Sequence, residues 1–329
     1  MLFKRNKIND GSTVGQADRW ERELLRELAT ASLKEQRKAR RWSIFFKLLG
    51  FAYLTVLLAL WLPEKLPDSA LKPGSKHTAV IEIKGVIASD SEASADRIIG
   101  SLRKAFEDGG TKGVILRINS PGGSPVQAGY VNDEINRLKK KYKDIPVYAV
   151  VTDLCASGGY YIAVAADKIY VDKASVVGSI GVLMNGFGFV GSMEKLGVER
   201  RLLTAGENKA VFDPFSPVKP NDVVHMKKML DRIHNQFIDI VKSGRGERLK
   251  ESEEIFSGLF WTGEESIELG LADGLGSSSY VAREIIGAEE IVDFTSSEDL
   301  LERFAKRLGA GVASGLARII AAGTAPVLH

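Results

Sequence analysis

Cysteine is nearly absent: the 329 residues include one, Cys155. A lone thiol excludes an intramolecular disulfide and any cysteine-cluster metal site. Histidine is scarce as well. The four present, His77, His225, His234 and His329, lie far apart in the chain and outside the glycine-rich turns. Neither a His-rich metal centre nor a Ser–His–Asp arrangement has its residues in a suitable context. No metal and no cofactor is expected. A basic stripe with interleaved aromatics is also missing, which argues against a nucleic-acid partner. Net charge is only +3, and residues 1–41 hold 11 Lys/Arg against 6 Asp/Glu, so residues 42–329 sum to −2.

Long apolar runs are limited to one that could span a bilayer. Residues 42–62, WSIFFKLLGFAYLTVLLALWL, are 21 residues carrying a single charge, Lys47. As a helix they reach roughly 31 Å, about the thickness of a bilayer's hydrocarbon core. Trp42 and Trp61 bracket the run, as indoles do at membrane interfaces. A buried core helix is the competing reading, but apolarity on every face over six turns disfavours it. A cleaved signal peptide fits poorly, because the run begins more than 40 residues in and no clean small-x-small site follows it. Lys34, Arg37, Lys38, Arg40 and Arg41 crowd its N-terminal side. The positive-inside rule then places the N-terminus in the cytoplasm and residues from about 64 onward across the membrane.

The expected organisation is a basic, helical cytoplasmic tail (1–41), a transmembrane helix (42–62) and a Pro/Gly linker (63–77). An α/β domain (78–295) and a C-terminal helix and tail (296–329) follow. With 44% hydrophobic and 26% charged residues, a core of ordinary size can form. β-branched runs at 78–87, 113–118, 147–151 and 168–172 alternate with helical patterns at 92–107 and 125–141, and the apolar run 177–184 continues the series. That alternation predicts a parallel sheet flanked by helices. Apolar spacing from Val223 to Val241 predicts a long amphipathic helix over 221–243 with Asn221 as its cap.

Three glycine-punctuated segments could carry chemistry. In Asn119-Ser120-Pro121-Gly122-Gly123-Ser124, glycines at a strand-to-helix turn leave N–H groups able to meet an oxyanion; an ordinary connection explains them equally well. In Asp153-Leu154-Cys155-Ala156-Ser157-Gly158-Gly159, Ser157 follows a strand and precedes two glycines, a suitable place for an exposed nucleophile. Alternatively, Ser157 merely caps the next helix. Cys155 is a rival nucleophile without a neighbouring cation, so it reads better as a small buried hydrophobe. In Thr204-Ala205-Gly206-Glu207-Asn208-Lys209-Ala210-Val211-Phe212, Lys209 opens an apolar patch. A lysine is a base only when uncharged, and with an ordinary lysine pKa of about 10.4 roughly one in a thousand is uncharged near pH 7.5. Burial is what changes that fraction. A solvated surface lysine is the commoner fate.

These segments, taken together and in order, resemble the signal peptide peptidase (SppA) family of serine proteases across residues 78–285. The NSPGG loop, LCASGGYYIA, VGSIGV and AGENKAVFDPF all have counterparts there. The resemblance implies a Clp-protease/crotonase-like α/β fold and a serine endopeptidase with Ser157 as nucleophile and Lys209, 52 residues later, as base. It implies Ser179 as the residue orienting the lysine amine. The oxyanion would be met by the N–H of Gly158 and an N–H of either Gly122 or Gly123. It further implies cleaved signal peptides as substrates and a short, single-unit form assembled as a homo-oligomeric ring of about eight subunits, with each site completed by a neighbour. The expected location is the bacterial inner membrane, single-pass through the lipid bilayer at 42–62, with the protease domain extracytoplasmic. A SohB-like protease acting on membrane or misfolded proteins, and a catalytically inactive crotonase-like scaffold, stay open. Acyl-CoA-binding crotonase enzymes are disfavoured by the anchor and by Lys209.

Overall fold

The computed structural model describes residues 14–61, 75–250 and 252–296. The expected C-terminal helix lies outside them. The chain divides into two units, Met1–Leu71 and Lys72–His329. In the first, helix α1 runs without a break from Val14 to Trp61, so the basic stretch from Val14 onward and the apolar run up to Trp61 are one helix. Its stretch Glu35–Leu58 is long and apolar enough to cross a membrane. Trp42 stacks on Phe46 at 5.6 Å and meets Phe45 edge-on at 5.8 Å, so an aromatic cluster sits directly after Arg40 and Arg41.

The second unit is built on a sheet of order β6-β5-β3-β2-β1-β8, with β8 (Ile291–Asp293) at one edge, parallel except where β5 (Val176–Gly178) meets β6 (Phe260–Thr262). Strands β1 (His77–Lys84), β2 (Thr111–Ser120) and β3 (Val147–Ala156) form its centre. Their side chains alternate between two cores, as a period of two requires. Ala79, Ile81, Ile83, Val114, Leu116, Ile118, Ala149 and Val151 face the larger core. Helices α2 (Ala95–Glu107), α3 (Pro125–Lys141) and α4 (Gly158–Ala163) complete that layer. Val80, Ile115 and Val150 face a smaller cluster with Tyr170, Val281 and Ala282.

The sheet forks at β3. Tyr148–Val150 pair with β4 (Lys168–Val171), whereas Leu154–Ala156 pair with β5. Between those halves the register against β2 slips: Ile118 faces Val151, but Ser120 faces Cys155. The bulge at 152–154 bends β3 away from β4 and aims its C-terminal end, and hence Ser157, toward the β2–α3 turn.

Two expectations need correction. The long helix α6 (Pro220–Arg245) is not capped by Asn221; Pro220 takes its first position and Lys219 the cap, where a missing N–H loses nothing. The apolar run 177–184 is strand only to Gly178, because Gly178 (φ +114°) and Ser179 (φ +52°) turn the chain out of the sheet.

Candidate active site

Ser157 ends β3 and precedes α4 with φ 50° and ψ −120°, outside the regions open to most side chains. Such backbone persists only when its surroundings over-determine it. The Ser157 N–H donates to the Gly178 carbonyl at 2.9 Å. The β2–α3 turn presses on the other side: a Cβ on Gly122 would lie 2.6 Å from the Gly158 nitrogen and 2.7 Å from Ser157 Cβ. The helix-cap alternative fails, since the Ser157 side chain makes no capping hydrogen bond. Ser157 is half-buried, and its hydroxyl has no hydrogen-bond partner among the described residues.

The two glycines of the turn are not equivalent. The Gly122 N–H, 3.1 Å from Ser120 Oγ, donates to it, and that hydroxyl donates in turn to the Gly85 carbonyl at 2.6 Å. The Gly122 carbonyl accepts from Ile87, and the Ile87 carbonyl accepts from Ser124. This leaves the Gly123 N–H without a partner among the described residues, and the same holds for the Gly158 N–H at the start of α4. A Cβ on Gly158 would lie 3.2 Å from the Gly123 nitrogen. Two unspent donors therefore adjoin Ser157, and glycine at 123 is enforced by the Ile87 carbonyl, 2.1 Å from any Cβ there.

Ser179 is brought alongside. It follows Gly178, which pairs with Ala156, and its N–H donates to the Leu259 carbonyl at 2.7 Å. His234 of α6 contacts the Ile180 carbonyl at 3.0 Å. Cys155 is fully buried in the larger core, and burial pushes its thiol far above the usual thiol range. Such a thiol is inert as a nucleophile. Below α4, Tyr160 donates to the Leu271 carbonyl, and Arg245, 1% exposed, forks onto Asp273 at 2.8 and 3.0 Å. These contacts pin the floor under Ser157.

Lys209 is placed differently. It lies on the long excursion between β5 and α6 and is exposed. Its side chain has no hydrogen-bond or ion-pair partner among the described residues, so the dry pocket expected of a neutral lysine is not formed within one chain. The excursion exposes Leu183 (82%), Phe187 (80%), Leu196 (77%) and Leu203 (97%). Ser157, Gly158, Gly122, Gly123 and Ser179 thus come together, while no hydrogen bond or ion pair among the described residues joins Lys209 to them. Sequence reasoning missed Ser120, whose hydroxyl selects between the glycines.

Residues 139–291 match Peptidase family S49. A putative protease of Methanocaldococcus jannaschii is 30% identical over 228 residues, covering 68% of this chain and 72% of that one. The chain belongs to peptidase family S49. Among its S49 relatives, a putative signal peptide peptidase SppA of Enterococcus faecium is 28% identical, with 71% of each chain covered. Higher identity, 46%, is found over 188 residues of a Brucella abortus protein named Na(+)/H(+) antiporter NhaA, covering 57% of this chain. The chain spans only about a quarter (25%) of that relative's length. The solved structure of a mutant 1510-N membrane-bound stomatin-specific protease aligns at 19% identity with a TM-score of 0.41, covering 68% of this chain and 99% of that one. S49 proteins are serine proteases, and the strained serine lies within the matched region.

Proposed function

We propose that the chain is a serine endopeptidase in which Ser157 is the nucleophile and Lys209 the base. The observation that carries this is Ser157 itself: a serine held at φ 50° with a free hydroxyl beside two unpaired N–H donors. In the acylation step Ser157 Oγ would attack the scissile carbonyl carbon while its proton passes to Lys209 Nζ. The developing oxyanion would be met by the N–H groups of Gly158 and Gly123, and one such donor is worth about 10²–10³ in kcat. Collapse breaks the C–N bond, and the lysine ammonium returns its proton to the leaving amine. Water then cleaves the acyl ester by the same route. Ser179, next to Ser157 through the Ala156–Gly178 pair, is suited to hold the lysine amine.

A base must be both uncharged and in reach. Since Lys209 is exposed in one chain, we assign its burial to a second copy packed on the apolar excursion 181–219, within a homo-oligomer. Exposed Leu183, Phe187 and Leu203 favour such a contact. The apolar stretch of helix α1 would anchor this assembly in a lipid bilayer, with the basic end cytoplasmic and the protease domain on the other side. Signal peptides left in the membrane are the substrate class that this placement and the Enterococcus relative's name favour.

A fluorophosphonate probe tests the reading. Ser157 is expected to be labelled in the full chain in detergent, with labelling abolished in Ser157→Ala and strongly slowed in Lys209→Ala. Undiminished labelling in Lys209→Ala removes the lysine from the mechanism. No labelling at all would favour a scaffold role.

A further inference from the structure

The excursion between β5 and α6 has almost no regular structure apart from α5 (Val190–Leu196), and α5 buries none of its residues. Even so, the loop bearing Lys209 is closely tied. Lys209 N–H donates to the Gly206 carbonyl, Val211 to Asn208, Asp213 to Ala210 and Ser216 to Asp213. This string of turns includes Phe212 at φ 53°, unusual for an aromatic residue. It ends on a knot of five side chains. Asp213, only 9% exposed, forms an ion pair with Arg200 at 2.7 Å and accepts from the Ser216 hydroxyl at 2.5 Å. The Arg200 guanidinium lies 5.1 Å over the Phe215 ring, which stacks on Phe189 at 5.4 Å. Phe189 N–H closes the knot on the Pro214 carbonyl at 2.7 Å.

A knot this complete on a segment with little core of its own calls for a reason. Ion pairs on exposed segments contribute little to stability, so stability is a weak one. The next residue with chemistry is four positions away. We propose that Asp213 and Arg200 are positioning residues for Lys209, an inference that rests on the lysine being the base. Asp213 anchors the turns that fix where the amine points. Arg200 has a second duty: an unpaired Asp213 carboxylate would favour the ammonium form of a nearby lysine, and the guanidinium cancels that charge. The other charges on the excursion are Glu194, Lys195, Glu199, Arg201, Glu207 and Lys219; Arg201 pairs with Glu199 at 3.3 Å, and none of the six forms an ion pair with Arg200 or Asp213 among the described residues.

The test is a charge-swap series on the full chain in detergent, read as pH profiles of kcat and KM for a fluorogenic peptide. Arg200→Gln is expected to lower kcat about 100-fold at neutral pH. Its acid limb should move roughly one unit higher, with KM little changed. Asp213→Asn should lower kcat without that upward move. The double variant Arg200→Gln/Asp213→Asn should return the limb to its original place, and Arg200→Lys should restore the limb but only part of kcat, because ammonium lacks the planar fork. Equal losses at every pH, with no movement of the limb in Arg200→Gln, would assign the knot a purely structural role and overturn the proposal. Activity within threefold of the parent would overturn it too. Lys209→Ala separates the two levels: if that variant stays active, the dyad itself fails. If it is dead while Arg200→Gln is unaffected, only the positioning claim falls.

Discussion

A methyl group added to Gly122 probes the contact on which the site depends. Gly122 has φ +95°, a conformation that opposes a side chain by about 1–2 kcal/mol. Its Cβ would stand 2.6 Å from the Gly158 nitrogen, 2.7 Å from Ser157 Cβ and 2.8 Å from the Ala156 carbonyl oxygen. All three belong to the Ser157 turn, and none is the end of a flexible side chain. Ordinary contact begins near 3.4 Å, so the two turns must part by roughly 0.8 Å. Displacement of that order costs about 100-fold in rate, equivalent to about 2.7 kcal/mol at the transition state. Gly122→Ala should therefore lower kcat/KM for a fluorogenic peptide about 100-fold, while thermal unfolding moves by only about 2–8 °C. Gly129→Ala is the control. That glycine lies inside α3 with nothing within 4 Å of its Cβ, and the change should leave activity intact and stabilise by about 0.5–1 kcal/mol. Gly122→Ala keeping kcat/KM within threefold would refute the packing of the NSPGG turn against Ser157.

Other consequences can be measured separately. Glu134, bonded to Arg137 and Arg103 at 2.7 Å, is held at about 2 against an ordinary 4.5, first by the Arg137 hydrogen bond and against the opposing effect of burial. A lowered carboxylate stabilises above its unfolded value. Its contribution, about 1–2 kcal/mol after allowing for the half-exposed arginines, should be present at neutral pH and fade from about 4.5 to about 2. Urea midpoints of Glu134→Gln and the parent should then converge on acidification; a gap independent of pH refutes the coupling. Asp273→Ala strands the buried Arg245 guanidinium and should lower unfolding stability by about 3–5 kcal/mol in urea titration. Iodoacetamide should fail to label Cys155 until the chain is unfolded, since its thiol is buried and shifted upward. Dilution below the dissociation range, followed by sedimentation, should lower specific activity together with the melting temperature, since a partner that binds only the folded chain stabilises it; constant specific activity through dissociation would refute completion of the site by a second copy.

Much of the fold could be read in the sequence where periodicity was strong. Helix α3 begins at Pro125 and ends at Lys141, as its pattern indicates. Strands β1 to β4 fall on the β-branched runs with shifts of a few residues at their ends. What local pattern could not show was where neighbours change. The fork at β3 depends on three residues, Thr152 to Leu154, opposite one, Asn119, and a bulge leaves no periodic signature. Similarly, NSPGG marks a turn but is silent on which glycine keeps a free N–H. That choice rests on the Ser120 hydroxyl turning back on Gly122. Arg200 and Asp213 were invisible for a related reason, being partners 13 positions apart on a segment with neither helical nor strand spacing.

The two halves of the proposed dyad are prepared in opposite ways, and this decides what each needs. Ser157 is fixed from all sides within one chain: a ladder strand behind it, the Gly178 carbonyl on its N–H, the glycine turn against its Cβ and a buried Arg245–Asp273 pair under its helix. Backbone strain of about 1–3 kcal/mol can be held there because the surrounding core is rigid. Lys209 has its loop set by the Arg200–Asp213 knot but its amine left in water. Geometry alone gives it a direction, and only removal from water gives it basicity near neutral pH. With the proposed roles, such a chain would carry a nucleophile before assembly and a working base only after it. Peptide-bond cleavage would then be confined to the assembled state, without any residue at the site having to move.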